Sequence, residues 1–123
     1  MLVPDLYRIL SHKAEAESIR AEIEIDATHE LFKGHFPSVP VLPGVCMVQC
    51  VKELIEYSIQ KKTRLDKADT IKFLSMLNPA ESNMVSAEIA LKEHTEARVV
   101  FQASLKSNNQ VLLKYSGSLF ILN

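Results

Sequence analysis

The sequence lacks two features that would identify common classes of partner, a basic cluster and a long apolar run. Its 14 Lys and Arg and its 15 Asp and Glu are spread along 123 residues, and the formal net charge is −1. Phosphate binding needs a concentrated positive surface, so nucleic acid is not an expected partner. Residues 1–3 are apolar but are followed at once by Pro4 and Asp5. No stretch approaches the ~18 apolar residues of a membrane span, so we expect no signal peptide, no membrane segment and a cytoplasmic location.

Cysteine is also scarce: Cys46 and Cys50 are the only two. They stand four apart in one predicted helix, where their Cβ directions suit a disulfide poorly. Two thiols without further ligands make a poor zinc site. We therefore predict that both are small packing residues in a reducing compartment. The alternative is that Cys46, in the first turns of the helix, has a lowered thiol pKa.

The composition is that of a globular protein, with 47% hydrophobic and 24% charged residues. The length suits a single domain, residues 1–123, and no internal repeat or linker divides it. Residues 6–10 are ambiguous between a short helix and a first strand. From Ile19 the pattern is clearer, because apolar residues alternate with charged ones up to Asp26, as in a half-buried strand. Residues 27–42 contain Gly34, Pro37 and Pro40 and are predicted to be a loop without regular structure.

A helix is predicted from Pro43, a residue that suits the first helical position, to about Lys62. Its first half is apolar except for Gln49, so we expect it to be surrounded by protein. In its second half Leu54, Ile55 and Ile59 are predicted to face inward, with charged residues outward. Residues 63–69 are predicted to be a polar turn. Further strands are predicted at 70–77, 84–92, 97–107 and 111–122, with hairpin turns at 94–96 and 108–109. One long apolar helix and consecutive antiparallel strands predict an α+β fold in which a sheet wraps around the helix.

The residues with the clearest chemical meaning lie between the first clear strand and the helix. His35 is held between Gly34 and Phe36, and it precedes a helix that begins near Pro43-Gly44. Histidine has its ordinary pKa near neutrality, so it can take up and return a proton. The first amides of a helix lack intrahelical partners and lie at its positive end, where they can hold a carbonyl oxygen that gains negative charge. A base and an oxyanion hole are what proton removal next to a thioester carbonyl requires.

Residues 34–45, Gly-His-Phe-Pro-Ser-Val-Pro-Val-Leu-Pro-Gly-Val, resemble the active-site signature of the 3-hydroxyacyl-acyl carrier protein dehydratases. These are hotdog enzymes of fatty-acid and polyketide synthesis. Glu30 and Phe32 also fit that family's approach to the signature. Residues 71–73, Ile-Lys-Phe, followed by Pro79, are similar to the family's second recognisable stretch. The resemblance covers roughly residues 19–122 and implies the hotdog fold.

The resemblance also implies a mechanism. Such proteins form dimers with two sites at the interface, each using the histidine of one protomer and an acid from the helix of the other. His35 would remove the proton from carbon 2, and the acid would protonate the departing 3-hydroxyl. The amide of Gly44 or Val45 would bind the thioester oxygen. Phe36 is predicted to pack in the core, and its position next to His35 also makes it a candidate substrate-binding residue. The acyl group would arrive on the phosphopantetheine arm of an acyl carrier protein, with no metal or diffusible cofactor.

The sequence departs from the family at one position. The family has Glu or Asp four residues after the valine of Pro-Gly-Val, where this chain has Gln49. An amide can form hydrogen bonds but neither gains nor loses a proton near neutral pH. Losing a positioned acid costs about 10²–10⁴ in rate.

Gln49 therefore leaves several functions open. The protein is a dehydratase in which Gln49 orients the hydroxyl, or a non-catalytic or half-active subunit completed by an acid from a second hotdog chain. Alternatively it is a hotdog thioesterase in which Gln49 positions water, or an acyl-binding module. Gln49 itself could instead satisfy a backbone group at an interface. Glu53, one turn further, is predicted to be a surface or interface charge, with a displaced acid as the alternative. The other aromatic and histidine side chains are predicted to be core (Phe73, Phe101) or solvated (His12, His29, His94).

Overall fold

The computed structural model describes residues 3–33 and 40–123, which form one antiparallel sheet and one α-helix. The strand order is β1-β2-β4-β5-β6-β3, so β1 and β3 are the two edges. The elements are β1 (Tyr7–Ala14), β2 (Ser18–Ile25), a 3-10 helix (Glu30–Phe32), α1 (Gly44–Ile59), β3 (Lys62–Phe73), β4 (Met84–His94), β5 (Arg98–Ser107) and β6 (Gln110–Leu122). The predicted antiparallel sheet with one helix is confirmed.

The core forms between one face of the sheet and one face of α1. The apolar residues of β2 alternate with charged ones and are all buried, as their period of two predicts. On the helix Val51, Leu54 and Ile55 are 0% exposed. Burying each such side chain contributes about 1.5–3 kcal/mol, which is why the sheet closes over this helix. Ile59 is only half-buried at the helix end.

Both predicted hairpin turns are confirmed. Asn108 and Asn109 have φ angles of 49° and 62°, and asparagine tolerates this left-handed region better than other side chains. At the other turn the amide of Thr95 donates to the carbonyl of Arg98 over 2.9 Å. The helix ends at Ile59 because Gln60 adopts a φ of 58°, and its amide donates to the carbonyl of Glu56. The predicted helix end at Lys62 was therefore too late, and the helix begins one residue after Pro43.

The polar turn predicted at residues 63–69 is wrong, because this segment is the first half of the long strand β3. Its register with β6 runs from Lys62 opposite Leu122 to Phe73 opposite Leu113, with two bulges. Most of its side chains are exposed, so the sequence lacks an alternation that would reveal a strand. The strand is anchored by polar contacts: the amide and hydroxyl of Thr63 both donate to the Glu56 carboxylate.

The backbones of β3 and β6 pass very close to each other near Lys67. A methyl group built on Gly117 of β6 would overlap the carbonyl oxygen of Lys67. Glycine is thus needed where the bulged strand passes β6. Residues 74–77, predicted as the end of a strand, lie beyond it. Leu77 is nevertheless buried, and its carbonyl accepts the amide of Leu42, which ties this segment to the chain two residues before the helix.

The ambiguous N-terminal segment is a strand. Residues 7–14 pair with β2 over its whole length, with an irregularity between Ile9 and Ser11. The loop predicted at 27–42 also contains the short 3-10 helix, which is capped by His29: its Nδ1 accepts the amide of Leu31. The strand is decided by its pairing with the distant β2, whereas the 3-10 helix is capped locally by the residue that precedes it.

Candidate active site

The predicted base and its neighbour, His35 and Phe36, lie outside the described residues, and their roles stay predictions. What the structure describes of the site is the N-terminal half of α1 and the elements packed around it. The remaining predicted site residues, Gly44, Val45 and Gln49, all lie on the first two turns of this helix.

The N-terminus of α1 has the character of an anion-binding end. Pro43 precedes the helix in an extended conformation and offers no side-chain cap. Within the described residues the amides of Gly44 and Val45 have no hydrogen-bond acceptor. These amides lie at the positive end of a 16-residue helix, where they would stabilise a carbonyl oxygen that becomes negative. The arrangement is compatible with the predicted binding of a thioester oxygen there.

Phe73 covers the same helix end. A methyl group built on Gly44 would lie 2.7 Å from Cε1 of the Phe73 ring, so any larger residue at position 44 would require this ring to shift. The ring is 54% exposed, and the prediction that Phe73 belongs to the core is wrong, whereas Phe101 is buried as predicted. Val45 is 70% exposed, so the first half of α1 is not surrounded by this chain alone. An apolar surface thus adjoins the helix N-terminus.

Gln49 belongs to a hydrogen-bonded chain of polar side chains. Its Nε2 donates to Oε2 of Glu53 over 3.0 Å, and Oε1 of Glu53 accepts the phenol of Tyr7 over 2.7 Å. Gln49 and Glu53 are half-buried and Tyr7 is 8% exposed. Glu53 is therefore part of a half-buried network rather than a simple surface charge, and its predicted role as an interface charge stays a prediction. Tyr7 was missed, because a residue in a segment without an assigned secondary structure could not be placed next to the helix.

The surroundings of this cluster favour the neutral forms of the Tyr7 phenol and of the Cys46 and Cys50 thiols. Burial raises the pKa of the Tyr7 phenol well above its ordinary value, and the thiol of Cys50 and the carboxylate of Glu53 raise it further. Burial and the charge of Glu53 raise the pKa of Cys50 to about 12 and also raise that of Cys46. Both cysteines are buried and free, so the predicted packing role is confirmed. The alternative of a lowered pKa at Cys46 is wrong, because burial and the charge of Glu53 raise the pKa of this thiol.

Two clefts flank the Gln49–Glu53 pair. Gln49 lines a cleft of about 430 Å³ between α1, β3 and β6, whose walls include the aliphatic side chains Val48, Leu65, Leu119 and Leu122. Two cationic residues, Lys52 and Arg64, line the same cleft. Glu53 and Tyr7 line a second cleft of about 620 Å³ on the β1 side. Gln49 and Glu53 thus each line a different cleft, one on either side of this part of α1.

The other histidines differ in their surroundings. Nε2 of His12 lies 2.6 Å from Oγ of Ser58, and its ring packs edge-on against Tyr57. His29 contacts the carbonyl of Pro4 as well as capping the 3-10 helix. His12 and His29 are half-buried and each links distant segments, so they are less solvated than predicted, whereas His94 is exposed as predicted.

The chain matches the ApeI-like family, described as ApeI dehydratase, over residues 11–115. A 3-hydroxyacyl-[acyl-carrier-protein] dehydratase FabZ from Chlamydia muridarum is 26% identical over 109 residues, which cover 81% of this chain and 71% of that protein. Across such FabZ relatives the matched segment covers between 27% and 73% of the relative's own length; for the one from Chlamydia pneumoniae it is 30%.

Solved structures show the same fold. The dehydratase heterocomplex ApeI:P from Xenorhabdus doucetiae matches with a TM-score of 0.72 and 21% identity, over 92% of this chain and 96% of that one. A thioesterase from Haemophilus influenzae matches with a TM-score of 0.66 and 15% identity, over 99% of this chain and 82% of that one. At these identities the likeness establishes the fold alone.

The sheet and the α-helix of the described residues, together with the structural neighbours, confirm the predicted hotdog fold, and the family match confirms the resemblance to the dehydratases. The chain belongs to the ApeI-like dehydratase family. No helix in the described ranges 3–33 and 40–123 has the length and hydropathy needed to cross a membrane.

Proposed function

We propose that the protein acts on 3-hydroxyacyl thioesters as a dehydratase-type subunit whose own chain does not supply the acid. The observation that carries the proposal is that residue 49, in a chain of a dehydratase family, is a glutamine. Its amide donates a hydrogen bond to Glu53. The aliphatic cleft beside Gln49 supports an acyl ligand, and the cationic Lys52 and Arg64 suit the phosphate of a phosphopantetheine arm.

The proposed chemistry assigns one task to each group. His35 takes the proton from carbon 2, while the amides of Gly44 and Val45 hold the thioester oxygen as it gains charge. The bond from carbon 3 to its hydroxyl breaks as the double bond forms, and the hydroxyl leaves as water after receiving a proton. Gln49 contacts this hydroxyl but cannot supply that proton, since an amide is not an acid near neutral pH.

A second hotdog chain that carries the acid would complete the site. This candidate is favoured by Gln49 itself and by the solved relative, which is a dehydratase heterocomplex. We expect the purified protein alone to form enoyl thioester slowly from a 3-hydroxyacyl carrier-protein substrate. A mixture with an acid-bearing hotdog chain should be faster by about 10²-fold or more, the contribution of a positioned acid. Enoyl absorbance measures both rates, and rapid dehydration by the unmodified protein alone would contradict the need for a partner.

Thioester hydrolysis is the second candidate, favoured by the thioesterase among the structural neighbours. Dehydration leaves the thioester intact, whereas hydrolysis releases a thiol. Measuring thiol release in the same reactions therefore separates the two activities. Release without enoyl formation would replace the dehydratase proposal.

We also propose that two chains join along the edge strand β3, because apolar side chains are exposed on and after it. These are Leu65, Ile71, Phe73, Leu74 and Met76. An unpaired edge with exposed apolar residues is a site for association.

Light scattering at micromolar concentration should therefore show a dimer, or a mixed dimer when the second hotdog chain is present. Ile71→Glu should shift it to monomer, because a charge would be buried without a partner. Leu10→Glu on the opposite edge β1 is the matched control, since Leu10 is 44% and Ile71 42% exposed. A monomeric unmodified protein, or dissociation by Leu10→Glu alone, would contradict association through β3.

Three expectations from the sequence stay proposals. They are the acyl carrier protein as partner, the absence of any metal or diffusible cofactor, and the cytoplasmic location. Nucleic acid is likewise not an expected partner, given the net charge of −1.

A further inference from the structure

Two hydrogen bonds connect Tyr7 on β1 with Glu53 and Gln49 on α1, and both are donated to the Glu53 carboxylate. Among the described residues, Oε1 of the Glu53 carboxylate accepts from the Tyr7 phenol and Oε2 accepts from Nε2 of Gln49. Residues 49 and 53 are one helical turn apart, so the pair is held by the backbone of α1. Both described donors suit a carboxylate in its ionised form, which only accepts hydrogen bonds.

This carboxylate decides which end of the Gln49 amide faces it. An amide has an oxygen that accepts and a nitrogen that donates, whereas an ionised carboxylate only accepts. Turning the amide over would place Oε1 against Oε2, with loss of a charge-assisted hydrogen bond, and a bond of that kind favours the observed orientation by more than about tenfold. Tyr7 remains a donor throughout, because burial raises the pKa of its phenol.

We infer that Glu53, which accepts a hydrogen bond from Tyr7, is a positioning residue for Gln49. It fixes the Gln49 amide with Nε2 towards the Glu53 carboxylate, so that Oε1 is the atom that contacts the ligand. The site then offers a hydrogen-bond acceptor at the position where related dehydratases have an acid. The nature of the ligand rests on the proposed function, whereas the orientation of the Gln49 amide rests on the geometry alone.

An acceptor selects its ligand by chemistry. It can receive a hydrogen bond from the 3-hydroxyl of a 3-hydroxyacyl group, but a saturated acyl group offers no donor there. The acceptor should therefore discriminate 3-hydroxyacyl from saturated acyl thioesters at the binding step. In E53Q the partner is itself an amide, which can donate or accept, so both orientations of Gln49 become available and the discrimination should disappear.

The orientation is tested by NMR on the uniformly ¹⁵N-labelled full chain, without any ligand. The side-chain amide protons of Gln49 should exchange with solvent about tenfold more slowly than those of Gln102, which is exposed on β5, because one of them is bonded to a carboxylate. In E53Q the exchange of Gln49 should approach that of Gln102. Glu88→Gln, at an exposed position of β4, is the matched control and should leave Gln49 unchanged.

The experiment does not depend on E53Q folding. Tyr7→Phe removes one donor to the carboxylate and should give an exchange rate of Gln49 between those of the unmodified protein and E53Q. Equal exchange of Gln49 and Gln102 in the unmodified protein would overturn the inference directly.

The ligand is tested by binding two amide analogues of pantetheine thioesters, 3-hydroxybutyryl-pantetheine and butyryl-pantetheine, in which nitrogen replaces the hydrolysable sulfur. The unmodified protein should bind the hydroxylated compound about 3- to 10-fold more tightly, the contribution of one hydrogen bond. E53Q should bind the two equally, with affinity for the butyryl compound unchanged. Equal binding of both compounds by the unmodified protein would overturn the role of Oε1.

The two readouts separate failure of the inference from failure of the proposed function. If neither compound binds while Gln49 shows slow exchange that depends on Glu53, the amide is positioned as inferred and the acyl-thioester proposal is wrong. If both compounds bind but the exchange of Gln49 is insensitive to Glu53, the positioning role is wrong and the proposed function stands.

Discussion

Gln49→Glu is expected to raise dehydration of a 3-hydroxyacyl carrier-protein substrate by the purified protein by about 10²-fold or more, the contribution of a positioned acid. The structure adds a reason why this acid would be protonated when needed. In the unmodified protein Nε2 of Gln49 lies 3.0 Å from Oε2 of Glu53. Two carboxyls at that separation cannot both ionise readily, so the pair in the variant should share a proton at neutral pH. A carboxyl that keeps its proton can give it to the departing hydroxyl.

The matched control is the double variant Gln49→Glu/Glu53→Gln, in which the new carboxyl faces an amide that donates to it. Its activity should also rise, but a donor lowers the pKa of the carboxyl, whereas a second carboxyl raises it. A general acid must be protonated, so the gain should be lost at lower pH in the double variant than in Gln49→Glu. The rate of enoyl formation between pH 5 and 9 measures both effects. A folded dimer of Gln49→Glu with no gain at any pH would favour hydrolysis or a binding role.

His35→Ala is expected to reduce dehydration to the background rate, a loss of about 10²–10⁴-fold if the unmodified protein or its mixture with an acid-bearing chain is active. The same substitution should remove the whole gain of Gln49→Glu. Acid and base act on one transition state, so their effects are not additive. The measurement is enoyl absorbance for the single and double variants.

His94→Ala is the control for replacing a histidine, since His94 is exposed at the end of β4, and its rate should be unchanged. Retained activity in His35→Ala would show that another residue is the base. It would contradict the mechanism that the resemblance at residues 34–45 implies.

Several features of this protein are determined by the sequence within a short window. The alternation in β2 and the inward face of α1 arise because a half-buried strand and a half-buried helix repeat their apolar residues with different periods. The asparagine pair at 108–109 is a local preference for positive φ. The signature at 34–45 identifies the family in the same way, because its glycine, histidine and proline residues are close together in sequence.

Other features are decided only when distant segments meet. The sequence does not distinguish β1 from a helix, and the first half of β3 has the composition of a polar turn. Both are edge strands, and each is defined by its pairing, β1 with β2 and β3 with β6. The exposure of Phe73 and Val45 depends on what the rest of the chain leaves uncovered.

The candidate site shows the same division. Gln49 and Glu53 are one helical turn apart, so the sequence predicts that they share a face. It does not predict that the carboxylate is held from the other side by Tyr7, 46 residues away in sequence. The sequence therefore determined that an amide stands at the acid position, because residue identity and helical spacing are local. Only the tertiary structure decided how the Glu53 carboxylate that accepts from this amide is itself held, because Tyr7 lies on a strand that reaches the helix through sheet pairing.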